Sequence, residues 1–110
     1  MKQITEFLGL KGFLFTEFKT ILPSALGSKK KIKIYSGISL DHKYISVFIV
    51  DQKSRFIRKD VVALEDLLAK LKILEDHNFK QNILVISSDI CSKSTKILQE
   101  NNWTIFYDFM

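Results

Sequence analysis

Residues 44–50, YISVFIV, carry apolar side chains on both faces of an extended chain: Ile45, Val47 and Ile49 on one, Tyr44, Phe48 and Val50 on the other. Such a strand has to be covered on both sides, which predicts a place in the middle of a sheet with packing elements above and below it. Residues 31–40 are similarly rich in Ile and Tyr, and Asp41-His42-Lys43 between the two runs suits a tight connection. Residues 31–40 and 44–51 therefore read as a β-hairpin.

The flanking segments supply the cover. Ile4, Phe7, Leu8, Phe15, Phe18 and Leu22 recur near helical spacing, predicting one amphipathic helix over 3–22, or two short ones broken near Gly9 and Gly12. Pro23, Gly27 and Ser28 mark a loop. After the hairpin, residues 51–54 read as a second turn and 55–62 as a third, edge-like strand interrupted by charges. Leu64, Leu67, Leu68, Leu71 and Leu74 repeat at helical spacing, with Glu65 and Asp66 in the first turn, and predict a helix over 63–77. A strand at 82–87, a short helix at 92–101 and an aromatic strand at 103–109 complete the chain.

The order α-β-β-β-α-β-α-β predicts an α/β fold: a mixed five-stranded sheet, with an antiparallel β-meander followed by a parallel αβαβ unit, plus an N-terminal helix. At 110 residues, 1–110 reads as one domain, with a helical element over 1–28 and a sheet–helix core over 29–110.

Cys91 is the only cysteine, which excludes an intramolecular disulfide and a cysteine-rich zinc site and makes a reducing, cytoplasmic setting the expectation. No apolar run reaches the roughly 18 residues of a membrane span. Charge is unevenly spread: residues 1–60 hold 12 Lys or Arg against 5 acids, whereas residues 61–110 hold 5 against 7. The basic first half suits a polyanionic partner, DNA or RNA, and also suits an ordinary solvated face. Lys29, Lys30, Lys31 and Lys33, with Lys53, Arg55, Arg58 and Lys59 at the far end of the predicted meander, are the candidate nucleic-acid contacts.

The run Gly37-Ile38-Ser39-Leu40-Asp41, leading into the strand that ends at Asp51, resembles the opening G-I-D-x-G strand and hairpin of the ribonuclease-H-like superfamily, over about 75 residues. Ser39 stands where that motif has its acid, and a serine hydroxyl does not supply the anionic oxygens that hold Mg²⁺. The resemblance implies a catalytically degenerate domain that binds nucleic acid or a protein partner. It also implies that the strand at 31–40 lies beside that at 82–87, which would bring Asp41, Asp89 and Asp108 to one carboxyl edge as a displaced metal site. Each has an ordinary reading too: Asp41 in a turn, Asp89 as a helix cap, Asp108 near a terminus.

A second resemblance overlaps the first. Ile49-Val50-Asp51-Gln52-Lys53 is similar to the strand end bearing D-x-K in PD-(D/E)XK nucleases, and residues 82–88 with Trp103-Thr104-Ile105-Phe106 resemble the tail of that fold. It implies catalysis by Asp51, as metal ligand, and Lys53, positioning the attacking water, with Mg²⁺ or Mn²⁺ required only in that case. The residues opposite Asp51 across the hairpin include no acid, and Glu17 could serve only by lying over that edge. The same triplet also reads as a polar turn. A third class is an actin-like scaffold or interaction protein acting through its aromatic N-terminal segment, with Phe13 and Phe18 as partner-binding residues, in a homodimer or with another protein; core packing is the alternative for both. Ser87, Ser88 and Asp89 precede a helix, where amides receive either a phosphate or a cap. His42 and His77 stand apart from any ligand cluster, and Cys91 has no histidine at a catalytic spacing.

Overall fold

The computed structural model describes residues 4–21, 32–51, 55–76 and 79–107. Along the chain run α1 (Ile4–Leu10), β1 (Phe15–Ile21), β2 (Ile32–Ser39), β3 (Tyr44–Val50), α2 (Arg58–Glu75), β4 (Gln81–Ile86), α3 (Ser92–Glu100) and β5 (Trp103–Phe106). The five strands form one mixed sheet in the order β1-β2-β3-β4-β5. The β1–β2 and β2–β3 pairs are antiparallel, and β3–β4 and β4–β5 are parallel. This is the predicted fold class.

The hairpin forms as its residues dictate. Ile32 pairs with Val50 and Ile38 with Tyr44, and β3 is central and buried from Ile45 to Val50. Its two faces feed two cores. Phe48 and Val50 join Leu64, Leu67, Leu68 and Leu71 of α2, Leu98 of α3 and Trp103. Ile45, Val47 and Ile49 join Ile83, Val85 and the α1 residues Ile4, Phe7 and Leu8. The result is three layers, helix on sheet on helix. Polar ties fix the parallel half: the Ser46 hydroxyl donates to Asn82 Oδ1 at 2.7 Å inside the sheet, and the Trp103 indole N–H donates to Glu65 Oε1 at 2.9 Å.

Two predicted elements are different, and together they leave the element order unchanged. The helix predicted over 3–22 stops at Leu10, where Phe13 N–H bonds back to Leu8 C=O at 2.8 Å and Gly12 takes a left-handed φ of 93°. Residues 15–21 are β1, so the sheet begins inside the segment expected to be helical. The strand predicted over 55–62 is instead the approach to a longer α2: Asp60 Oδ2 accepts the Ile57 N–H at 2.9 Å, and Val61 begins the buried stripe. Only Phe56 there makes a β-bridge, to Ile90.

Consequently the strand at 32–39 lies between β1 and β3, and the neighbour of β4 is β3. The adjacency implied by the ribonuclease-H-like resemblance does not occur. Gly37 has a packing role: it pairs with Phe18 on β1, and the rings of Phe15 and Phe18 lie so close above it that a Cβ would fall 2.7 Å from Phe15 Cδ1.

Candidate functional site

Parallel pairing of β3 with β4 brings the loops that follow them together. Val50 pairs with Ile86, and the ladder continues as Ser87 N–H donates to Val50 C=O at 3.2 Å. The Ser87 hydroxyl then donates to Asp51 Oδ1 at 2.9 Å, at the exposed end of the sheet. The chain returns at Phe56, whose N–H donates to Asp89 C=O at 2.8 Å and whose C=O accepts from Cys91 N–H at 3.1 Å. Arg55 is thereby set beside the start of α3. It lines a hollow of about 580 Å³ with Asp89, Ile90, Ser92, Thr95 and Tyr107.

The cap of α3 is Cys91: its sulfur accepts the Ser94 N–H at 3.4 Å and contacts Ser94 Oγ at 2.8 Å. Those contacts from Ser94, chiefly its side chain and with help from the positive charge of Arg55, hold the Cys91 thiol below the usual thiol range. Asp89 does not provide the cap. Ser88 donates its hydroxyl to Asp89 C=O at 3.3 Å, a local turn contact.

Of the candidate basic residues, Lys33, Arg55, Arg58 and Lys59 are all exposed. Lys33 pairs with Ile49 near the beginning of β2, and Arg55, Arg58 and Lys59 occupy the approach to and first turn of α2, so all four belong to the end of the sheet that carries Asp51. Lys29, Lys30, Lys31 and Lys53 lie outside the described residues, as do Asp108 and His77.

Asp41 and Asp89 do not converge. Asp41 sits in the β2–β3 turn, at the Gln81 end of β4, whereas Asp89 follows Ile86 at the other end. Six strand residues separate the two ends, roughly 20 Å at strand rise. Asp41 is instead part of the hairpin turn. Its carboxylate accepts the Ser39 hydroxyl, Ser39 Oγ in turn accepts the Lys43 N–H at 3.1 Å, and Lys43 Nζ lies 3.3 Å from Asp41 Oδ2. The Ser39 hydrogen bond is the main reason the Asp41 carboxyl titrates below the ordinary range. His42 completes the turn with a left-handed φ of 65°.

A Mg²⁺ or Mn²⁺ ion at Asp51 would need further hard oxygen donors at the same sheet end. Strand β2 has no acidic residue between Ile32 and Ser39. Glu17 pairs with Ile38, toward the opposite end. Among the described residues no three His, Cys, Asp or Glu side chains gather as a metal site. The described residues do not fit such an ion. Asp51 and Ser87 together offer one carboxylate and one hydroxyl, flanked by basic side chains.

Phe13 and Phe18 are not helical. Phe13 packs edge-on against Phe106, with ring centroids 6.1 Å apart, and Phe18 stacks on Tyr35 at 4.9 Å. Both are half-buried over the α1 face.

Two solved structures are similar to this chain in fold. The crystal structure of a repair endonuclease from Pyrococcus abyssi aligns with 82% of this chain and 38% of its own, at 18% identity and a TM-score of 0.51. EndoMS in its apo form aligns with 97% of this chain and 47% of its own, at 13% identity and a TM-score of 0.54. The fold is nuclease-like. The chain spans less than half the length of either relative. No family model matches the sequence, and no curated protein matches it. Among the described residues no helix is long and apolar enough to cross a membrane.

Sequence reasoning missed the Asp51–Ser87 contact and the Arg55 hollow. Both depend on β3 and β4 being neighbours, and the continuous apolar runs at 47–50 and 83–86 were the signal for that pairing.

Proposed function

We propose that this chain is a nucleic-acid-binding domain built on a PD-(D/E)XK-type nuclease fold whose metal-binding pair of acids is incomplete, so that it binds DNA or RNA without cutting it. The observation that carries this reading is the β2–β3 register. It gives Asp51 no acidic neighbour on β2, while Lys33, Arg55, Arg58 and Lys59 share its end of the sheet. The nuclease-like fold supports the class of partner. The basic balance of residues 1–60 supports its sign.

Two carboxylates are what allow such an active site to hold a divalent ion and the attacking water together. With no acid on β2 to partner Asp51, the basic side chains act as phosphate contacts, and Asp51 is held by Ser87 as part of the loop. The domain then contributes affinity, and any cleavage requires an acid from elsewhere.

The test is a titration of labelled single- and double-stranded DNA and RNA with the chain, with and without Mn²⁺, read for both binding and cleavage. The proposal expects binding with no product in either condition. Metal-dependent cleavage abolished by Asp51→Ala or Lys53→Ala overturns it in favour of an active nuclease. Silence in every arm removes nucleic acid as the partner.

A further inference from the structure

Strand β1 is an edge of the sheet, and among the described residues it pairs only with β2. Among the described residues nothing pairs with the backbone groups on its other side, the groups to which another strand would add. Past the register shift between Phe15 and Glu17, its residues Glu17-Phe18-Lys19 have a charge symmetry about Phe18: acid, Phe, base. We infer that β1 pairs antiparallel with β1 of a second copy of this chain about a two-fold axis at Phe18, setting Glu17 of each copy against Lys19 of the other.

The register is selected by charge. Centring the pair on Phe18 puts Glu17 opposite Lys19 twice. A shift that keeps the faces aligned centres the pair on Glu17 or on Lys19, setting like charges directly opposite, which is unfavourable. A one-residue shift would set the α2 face of one copy against the α1 face of the other.

The two faces are compatible with this pairing. Lys19 projects on the α2 side, where its ammonium lies 2.8 Å from Glu75 while its side chain keeps 62% exposure. An ammonium has three donors, so it can also meet Glu17 of the second copy. Glu17 is exposed and has no ion pair among the described residues. On the opposite face Phe18, stacked on Tyr35 and in contact with Phe15 at 4.9 Å, meets Phe18 of the second copy and extends the aromatic layer across the axis. A hollow of about 290 Å³ lined by Phe13, Leu14, Phe15, Thr16, Glu17 and Phe18 runs along this edge.

Seven residues a side is well below the 20–30 of a standard stable interface, so the dimer is weak and concentration-dependent. An isologous pair of this kind closes on itself and does not propagate into fibres. The pairing is independent of the nucleic-acid reading, because a monomer that binds DNA and a dimer that does not are both distinguishable results.

Sedimentation of the full chain from about 10 μM to about 1 mM tests it. The expected result is a monomer–dimer equilibrium, at least about tenfold weaker for Glu17→Lys and restored by Glu17→Lys with Lys19→Glu, which re-forms the pair with signs exchanged. Circular dichroism checks that each variant is folded. Because Lys19→Glu also breaks the Glu75 contact, disulfide trapping provides a second measurement in a Cys91→Ser background. Glu17→Cys chains mixed with Lys19→Cys chains should cross-link, since the mixed pair keeps one Glu17–Lys19 contact. Glu17→Cys chains alone should not, because their own cysteines stand about two residues, or roughly 7 Å along the strand, out of register. A monomer at every concentration, an unaffected Glu17→Lys dimer or equal trapping in both mixtures overturns the inference.

Discussion

Replacing Gly37 with alanine tests the placement of β1 through a contact that exists only if residues 15–21 are a strand. The new Cβ would lie 2.7 and 2.8 Å from Phe15 Cδ1 and Cε1 and 3.0 Å from Phe18 Cδ1. Carbon atoms are comfortable at about 3.5–4.0 Å, so two rings have to withdraw, and with them Phe18 from its stack on Tyr35. Overpacking of this kind costs about 1–3 kcal/mol. Against it, the loss of glycine freedom in the unfolded chain returns about 0.4–1 kcal/mol, since Gly37 has no positive φ that alanine would strain. The clash is the larger effect, and the net destabilisation is about 1–2 kcal/mol. With a urea m-value of about 2 kcal/mol per molar, the midpoint of unfolding should fall by about 0.5–1 M. Shortening the obstructing ring tests the cause: in the Gly37→Ala background, Phe15→Ala should cost less than it does alone, with a coupling of about 1 kcal/mol. An unchanged or raised midpoint for Gly37→Ala would refute the reasoning, because the rings would then not lie over β2.

Three further results are expected. Ser46→Ala removes the donor to the buried Asn82 Oδ1 and should lower stability by roughly 1–3 kcal/mol by thermal or urea unfolding. The rate of alkylation of Cys91 should rise with pH to a half-maximum below 9.0, and Ser94→Ala should move that midpoint upward by removing the side-chain hydrogen bond that favours the thiolate, while the backbone N–H of residue 94 remains. Asp41 should titrate below 3.8 by NMR. Because the folded value is the lower one, its contribution to stability is present above the unfolded pKa and is lost as pH falls through the folded pKa, and Ser39→Ala should raise the midpoint.

The hairpin was legible because β3 is apolar on both faces, a pattern that only a central strand satisfies. Strand β1 was not, for a geometric reason. The ladder shifts register between Phe15 and Glu17, and that irregularity leaves Phe15 and Phe18 over the same glycine although they are three residues apart. An i, i+3 repeat of aromatics is also what a helix produces, so the bulge disguised a strand as an amphipathic helix. The β-formers Phe15, Thr16, Phe18, Thr20 and Ile21, following the glycine at the end of α1, were the contrary signal. At 55–62 the error ran the other way: Phe56, Ile57, Val61 and Val62 suggested a strand, while the Asp60 contact with Ile57 N–H started a helix there. The two errors exchanged one strand for another and preserved the element order.

The site was less legible than the fold because a sequence does not state which strands are neighbours. Assigning β2 to the side of β4 grouped Asp41 with Asp89, whereas the β3–β4 pairing separates them by the length of the sheet. The glycine and serine of the Gly37–Asp41 run serve local structure: Gly37 admits two rings, and Ser39 ties the hairpin turn. Asp51 retains its position at a strand end, with Ser87 as its contact.

The salt dependence of nucleic-acid binding tests the central claim most directly. Log Kobs against log[salt] should fall with a slope of about −0.7 per phosphate contact on single strands, or about −0.9 on duplex. Arg55→Glu with Arg58→Glu should weaken binding and make that slope shallower by at least about one, whereas Asp51→Ala should leave affinity equal or higher, because it removes a negative charge from the same end of the sheet. Binding that is unaffected by the two arginine substitutions, or that requires the Asp51 carboxylate together with Mn²⁺, would contradict the account.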